Sequence, residues 1–286
     1  MAMDIEEREK QQSYYVAKSN KLIQGSRYSM SLLQSKGLLY LISHIKPGDS
    51  PNTVYEISIS EFCEVCGIEN TGGKYISAVE RAIQALADKS VWVASPDTDK
   101  HLLRWIDQVT VSERRGILLI TFHENMMPYL FELKSRYTQY QLKYVLPMQS
   151  EYAVRLYEIL SSYHALRSTI TFTLDDLKKQ LDAENYKRFP DFKNRVLEKA
   201  KEDINRYSDI KMQYECITDG SGRKTVVAIK FDILSLSAMD ERTRKLYRDQ
   251  VFNPTEKNKK KHRIAMTDAM LIRFEAEQMA KRNQQQ

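Results

Sequence analysis

Phe189-Pro-Asp-Phe-Lys-Asn-Arg-Val-Leu-Glu-Lys-Ala-Lys-Glu-Asp-Ile-Asn-Arg206 reads as a helix with two unlike faces. At about 100° per residue, Phe192, Val196, Leu197, Ala200 and Ile204 fall on one side. Asn194, Arg195, Glu198, Lys201, Glu202, Asn205 and Arg206 fall on the other. One side is suited to packing. The other projects the groups that match base edges, Arg to guanine O6 and N7 and Asn to adenine. Taken alone, the same pattern describes any solvated amphipathic helix, so its neighbours must separate the two readings.

Those neighbours form an ordered set. A helix over Glu151–Leu166 leads to a strand over Thr169–Thr173 and a capped helix over Leu174–Leu181. The two-faced helix over Pro190–Tyr207 comes next, and a hairpin from Asp209 to Ile233 closes the series. In the hairpin Met212, Tyr214 and Cys216 alternate with Lys211, Gln213 and Glu215, and Val227, Ile229, Phe231 and Ile233 with Ala228, Lys230 and Asp232, around the turn Asp219-Gly-Ser-Gly222. Helix, strand, helix, helix, hairpin is the order of a winged helix, whose third helix enters the major groove. Lys187, Arg188 and Lys193 at the helix start, and Arg223 and Lys224 just past the turn, are placed to meet phosphates. Lys193 phases with the apolar side, so its stem is expected to pack while its amine reaches out.

The same order is written once before. Tyr28–Ile45 is an apolar helix pattern, Val54–Cys66 a strand and capped helix, and Lys74–Ala87 a longer helix with Tyr75, Ile76, Val79, Ile83 and Leu86 on one face. Ser58 and Glu61 have capping-box spacing, and Thr173 and Asp176 resemble them. Strand-like runs follow at Val91–Ala94, Leu102–Val111 and Ile117–Phe122. The expected fold is therefore α+β, two tandem winged helices. Residues 1–25 read as a polar lead-in with some helical character, 26–146 as the first winged helix and 147–237 as the second. Residues 238–286 read as a polar, basic C-terminal tail holding Lys257–Arg263 and an amphipathic helix over Ala265–Lys281. Pro147 marks the boundary between the two halves.

Charge separates the halves. Residues 1–146 carry 17 Lys and Arg against 17 Asp and Glu, whereas residues 147–286 carry 27 against 21, the whole of the +6 net charge. A basic second half points to a polyanion met mainly there. Three cysteines, an odd number, give no disulfide framework and fit a reducing cytoplasm. No apolar run approaches the length of a membrane span, so no membrane partner is expected.

Catalytic patterns fall short. Cys63-Glu-Val-Cys66 lacks the second pair a zinc site requires and reads as small core residues on a helix. Gly67-Ile-Glu-Asn-Thr-Gly72-Gly-Lys-Tyr75 has one residue too many before the lysine for a phosphate loop, with Tyr75 where Ser or Thr must hold magnesium. The five histidines form no His-x-His pair beside a nucleophilic tyrosine. The expectation is a non-enzymatic protein without cofactor, metal or catalytic residues.

Four stretches carry a resemblance: Val16-Ala-Lys-Ser-Asn-Lys-Leu-Ile23, Arg155-Leu-Tyr-Glu-Ile-Leu160, Phe172-Thr-Leu-Asp-Asp-Leu177, and Phe192-Lys-Asn-Arg-Val-Leu197 running on to Asp203-Ile-Asn205. Gly222-Arg-Lys and Ile229-Lys-Phe-Asp-Ile233 extend it, over roughly residues 14–235. The chain resembles the iteron-binding plasmid replication initiators, with Asp203 where that family usually has Glu. The resemblance implies that the second winged helix reads the bases of directly repeated origin sites, while the first contacts adjacent DNA and mediates dimerisation. It implies monomers that open the origin and recruit host helicase and initiator, and dimers that repress the protein's own promoter at an inverted repeat. A dedicated transcriptional repressor of the same fold is the alternative.

Overall fold

The computed structural model describes residues 14–69, 75–94, 99–133, 136–164, 167–220 and 225–236. The first half begins its winged helix at α2 (Leu32–Ile42). Ser31 Oγ accepts from Gln34 N while the Gln34 side chain accepts from Ser31 N, a reciprocal cap that starts the helix. In its middle, a Cβ on Gly37 would lie 2.9 Å from Cys66 Sγ, so glycine here lets α2 close on the helix below. β3 (Tyr55–Ser58) leads into α3 (Ile59–Val65), and α4 (Tyr75–Ala87) follows. As the periodicity requires, α4 buries Val79, Ile83 and Leu86, with Tyr75 and Ile76 partly buried beside them.

Ser58 Oγ caps α3 by accepting from Glu61 N at 3.3 Å, but the expected reciprocal bond is absent. The Glu61 carboxylate instead accepts from the Tyr40 hydroxyl at 2.5 Å. A buried phenol needs a partner more than a helix end near solvent does. Thr173 likewise accepts from Asp176 N and donates to its carboxylate.

The run expected over Leu102–Val111 divides at Trp105, which is fully buried, into β5 (Lys100–Arg104) and β6 (Ile106–Ser112). β6 turns through Gly116, at φ +66°, into β7 (Ile117–Phe122), which also pairs with β3. β5 joins a different sheet with β4 (Ser90–Ala94) and β2 (Ser26–Arg27). The first half is thus a winged helix carrying an inserted sheet.

Residues 14–25 are not a lead-in. β1 (Tyr15–Ser19) pairs antiparallel with β8 (Tyr137–Gln141), and α1 (Asn20–Gly25) follows at once, capped by Ser19. Val16, Lys18, Leu22 and Ile23 are each at most 1% exposed. Polar composition concealed this segment because its core-facing positions include a lysine. The expected basic run and C-terminal helix beyond residue 237 lie outside the described residues.

The second half follows its expected order: α5 (Glu151–His164), β9 (Thr169–Thr173), α6 (Leu174–Gln180), then α7 (Phe189–Phe192), a π-helical turn (Lys193–Leu197) and α8 (Glu198–Tyr207). Backbone angles stay helical through both junctions, so the last three form one continuous helix. β10 (Ile210–Thr218) and β11 (Val226–Ser235) form the wing. β11 lies between β10 and β9 just as β7 lies between β6 and β3. The repeated element order is therefore a repeated sheet topology, two winged helices of α+β class.

A buried polar network joins the halves. Lys18 forms an ion pair with Glu158, each side chain 1% exposed, and Glu158 also accepts from the Tyr140 hydroxyl at 2.6 Å. Burial beside Glu158 holds that phenol far above its usual range, so it remains a donor. Arg155 donates through Nη2 to the carbonyls of Ile23 (2.7 Å) and Ser26 (2.9 Å) and through Nε to that of Gln180 (3.2 Å). Its guanidinium lies over the Tyr28 ring at 4.9 Å. A single side chain thereby ties α1 and β2 to α5 and α6.

The end of α5 titrates. Burial pulls the His164 imidazole below its ordinary pKa of 6.5, with Asp209 opposing. Stability is therefore full above pH 6.5 and falls as pH drops through the depressed folded value, because the unfolded chain takes the proton first. Burial raises the Asp209 carboxyl from 3.8, which has the opposite sign: stability is full below 3.8 and falls as pH rises through the raised folded value. Urea midpoints measured at about pH 7.5 and about pH 5.5 should differ for the natural protein and converge for His164→Gln. An unchanged difference in the variant would assign the slope to another group.

Candidate nucleic-acid interface

The continuous helix of the second half packs by one face. Phe192, Val196, Leu197, Ala200 and Ile204 are completely buried, the set expected from phasing. Asp203 joins them, accepting from Gln149 N at 2.7 Å and Ser150 N at 2.9 Å. It thus holds the start of α5 and fixes the helix against the preceding segment. Burial lowers the Lys36 amine, in the first half, from its ordinary value, and Asp203 opposes that shift.

The opposite face is open. Asn194, Arg195, Glu198, Lys199, Glu202 and Arg206 are exposed, as are Lys187 and Arg188 on the approach to the helix. Asn194 and Arg195 lie in the π-helical turn. Such turns insert one residue and re-aim the side chains that follow. Lys199 was missed in the sequence, although it stands one turn beyond Arg195 on the same exposed stripe. Its i, i+4 spacing from Arg195 is the signal that would have found it.

Three expected site residues turn toward the wing. Glu198 accepts from the Tyr214 hydroxyl at 2.6 Å, and Lys201 lies 5.7 Å from the Tyr214 ring. Burial first, and then the bond to Glu198, raise the Tyr214 phenol well above its ordinary range. Lys193 is half-buried and lies near enough to Cys216 to oppose the burial that raises that thiol. Lys193, Glu198 and Lys201 therefore gather along β10, while Asn194, Arg195 and Arg206 remain on the open face. Arg206 stacks beside Tyr207 at 5.5 Å. Arg223 and Lys224 lie outside the described residues.

Asn205 does not belong to the open face. Its Oδ1 accepts from Met212 N at 2.7 Å and its Nδ2 donates to Met212 O at 3.0 Å, clamping the helix to β10. The helical wheel misplaced it because its partner is a backbone 7 residues away that the wheel does not contain. Asn205→Ala should cost about 1 kcal/mol by urea denaturation, at the low end for orphaned backbone groups because water reaches this half-buried site. Its base preference per folded molecule should stay unchanged, and a loss confined to one base position would return Asn205 to the reading face.

Cys63 and Cys66 are buried core residues, as their spacing on a helix suggested, and burial pushes the Cys66 thiol up to about 12. Among the described residues no three His, Cys, Asp or Glu side chains cluster as metal ligands. No described helix is long and apolar enough to cross a membrane. Residues 70–74 of the imperfect phosphate-loop pattern lie outside the described residues.

Comparison with known proteins agrees with this architecture. A "Replication initiation protein" of Escherichia coli is 27% identical over 210 residues, covering 70% of this chain and 64% of its own length. A "PI protein" of Escherichia coli is 25% identical over 154 residues, covering 48% of this chain and 49% of its own. The chain thus spans less than two thirds of both relatives. The solved structure of a Pi initiator protein in complex with iteron DNA superimposes with a TM-score of 0.61 at 18% identity, over 78% of this chain and 98% of that one. At that identity the likeness concerns the fold. Residues 15–161 match the model for the initiator replication protein WH1 domain, and residues 173–233 match the initiator Rep protein WH2 domain. The WH1 match, which alone covers half the chain, runs through most of α5, the helix on which Arg155 and Glu158 grip the first half. The chain belongs to the initiator replication protein family, with WH1 and WH2 in tandem.

Proposed function

We propose that this protein is a plasmid replication initiator that binds directly repeated duplex sites at an origin through its second winged helix. The carrying observation is the continuous helix with one face wholly buried and Asn194, Arg195 and Arg206 on the other. Asn194 and Arg195 read base edges, with Lys199 and Arg206 further along the helix. Lys187, Arg188, Lys193 and Lys201 meet phosphates, as do Arg223 and Lys224, which lie in sequence between the two wing strands. Glu198 positions Tyr214 and the wing strand rather than touching DNA. The related Pi protein, solved on iteron DNA, supports repeated origin sites as the target class.

On this reading residues 26–146 form the auxiliary DNA-contacting and dimerising domain, and residues 147–237 the main reader. Monomers occupy the repeats, open the origin and recruit host replication proteins. Dimers repress the protein's own promoter from an inverted repeat. The protein works in the cytoplasm by binding energy and DNA distortion, without catalysis; flexible steps in the origin lower the cost. A nuclease footprint over the DNA flanking its gene tests this. Several evenly spaced protected repeats are expected. Protection of one inverted repeat alone would favour a dedicated repressor, and no specific protection would refute both.

A further inference from the structure

The β2–β4–β5 sheet inserted in the first winged helix has an outward face that duplex reading by the second does not use. On β4, Val91 and Val93 are fully buried, while Trp92 between them is 47% exposed. Its cross-strand neighbour Leu102 is 55% exposed. Paired residues share a face, so the register assembles the rest. Ser90 opposes Arg104, Ala94 opposes Lys100, and Arg27 on β2 opposes Trp92. An aromatic and a leucine thus sit among three cations. The three strands contain no Asp or Glu; Asp88, Asp97, Asp99 and Asp107 lie just outside them in sequence. Arg27 pairs with exposed Glu184, and among the described residues Lys100 and Arg104 make no ion pair.

We propose that this face binds single-stranded DNA, with a base stacked on Trp92 and backbone phosphates held by Lys100 and Arg104. An exposed indole between cations is the combination that holds an unpaired strand, since every base offers a π-face and every linkage a charge. A duplex conceals those faces inside its stack. A second copy of the chain fits poorly, because matching this face to itself would oppose Lys100 and Arg104, which no acid on the three strands offsets. The site complements the duplex-reading helix, and its test needs no cognate repeat.

Tryptophan fluorescence supplies the assay, since the chain has 2 tryptophans and the other, Trp105, is completely buried. Titrating the full chain with a short oligothymidylate should quench Trp92 emission. Trp92→Ala should weaken binding about 5- to 100-fold, and Trp92→Phe should retain most of it. The double variant Lys100→Gln, Arg104→Gln should reduce the salt slope of binding by about 1.4. All three positions are exposed, and urea midpoints should match the natural protein. Base selectivity at duplex repeats, read by the second winged helix, should be unchanged, so failure of the duplex proposal and failure of this one are separately visible. Unquenched emission, or equal oligothymidylate affinity in Trp92→Ala, would overturn the proposal. So would an effect of Trp92→Ala on self-association alone, which would make the face an interface between copies.

Discussion

Glu158→Ala should destabilise the protein by about 3–5 kcal/mol, the largest effect expected of any single substitution discussed. Removing this carboxylate strands the Lys18 ammonium in a site where each partner is 1% exposed. It also deprives the buried Tyr140 hydroxyl of its acceptor. The cost comes from the group left behind, not from the net worth of the pair. Replacing both charges therefore distinguishes the explanations. Lys18→Met with Glu158→Gln keeps an acceptor for Tyr140 and leaves no buried charge, and should recover most of the loss. Urea denaturation of Lys18→Met, Glu158→Gln and the double variant closes the cycle, with Glu158→Ala measured beside it. A loss below about 1 kcal/mol in Glu158→Ala would mean that water reaches the pair and the junction is looser than described.

This junction shows where sequence reasoning stops. The faces of α4 and of the Phe189–Tyr207 helix were legible because burial there follows the 3.6-residue period, and one element's own pattern suffices. Lys18, Arg155 and Glu158 were not. Each is a charged residue, assigned by type to the surface, and each is buried because a partner distant in sequence neutralises or satisfies it. Nothing local to Val16–Ile23 announces that a glutamate about 140 residues later awaits its lysine. The same holds on a smaller scale for Glu61, drawn from its helix cap to Tyr40, and for Asn205, drawn from the open face to the backbone of Met212.

The division has a functional side. Base readout requires side chains presented by a rigid element, and the reading helix is held at three places by groups that composition alone would have assigned to solvent. Asp203 fixes it to the start of α5, Asn205 to β10, and Glu198 to Tyr214 on the wing. The polar residues of Asn194–Arg206 thus divide into those that aim the helix and those that remain free to touch a ligand. The sequence displayed Glu198 and Asn205 on one polar stripe with the free set, and placed Asp203 on neither face. Only tertiary partners separate them.

Arg195→Ala tests the free set. Arg195 is exposed in the π-helical turn, and no hydrogen bond or ion pair to a described residue employs its guanidinium. Its removal should therefore leave stability within about 0.5 kcal/mol of the natural protein, as for other surface substitutions. Loss of a bidentate contact to a guanine should cost about 1–3 kcal/mol at a cognate repeat and relax selectivity at one base position. Lys187→Ala provides the contrast: a phosphate contact weakens binding to all sequences alike and lowers the salt slope by about 1. Competition binding on repeats carrying each single base change, at two salt concentrations, reads both quantities. Equal weakening of cognate and random duplex by Arg195→Ala would make Arg195 another phosphate contact and shift base readout to Asn194 or to residues farther along the helix. A position-specific loss would instead fix the register of this helix in the major groove, because one arginine paired with one base determines which side chains can reach the next.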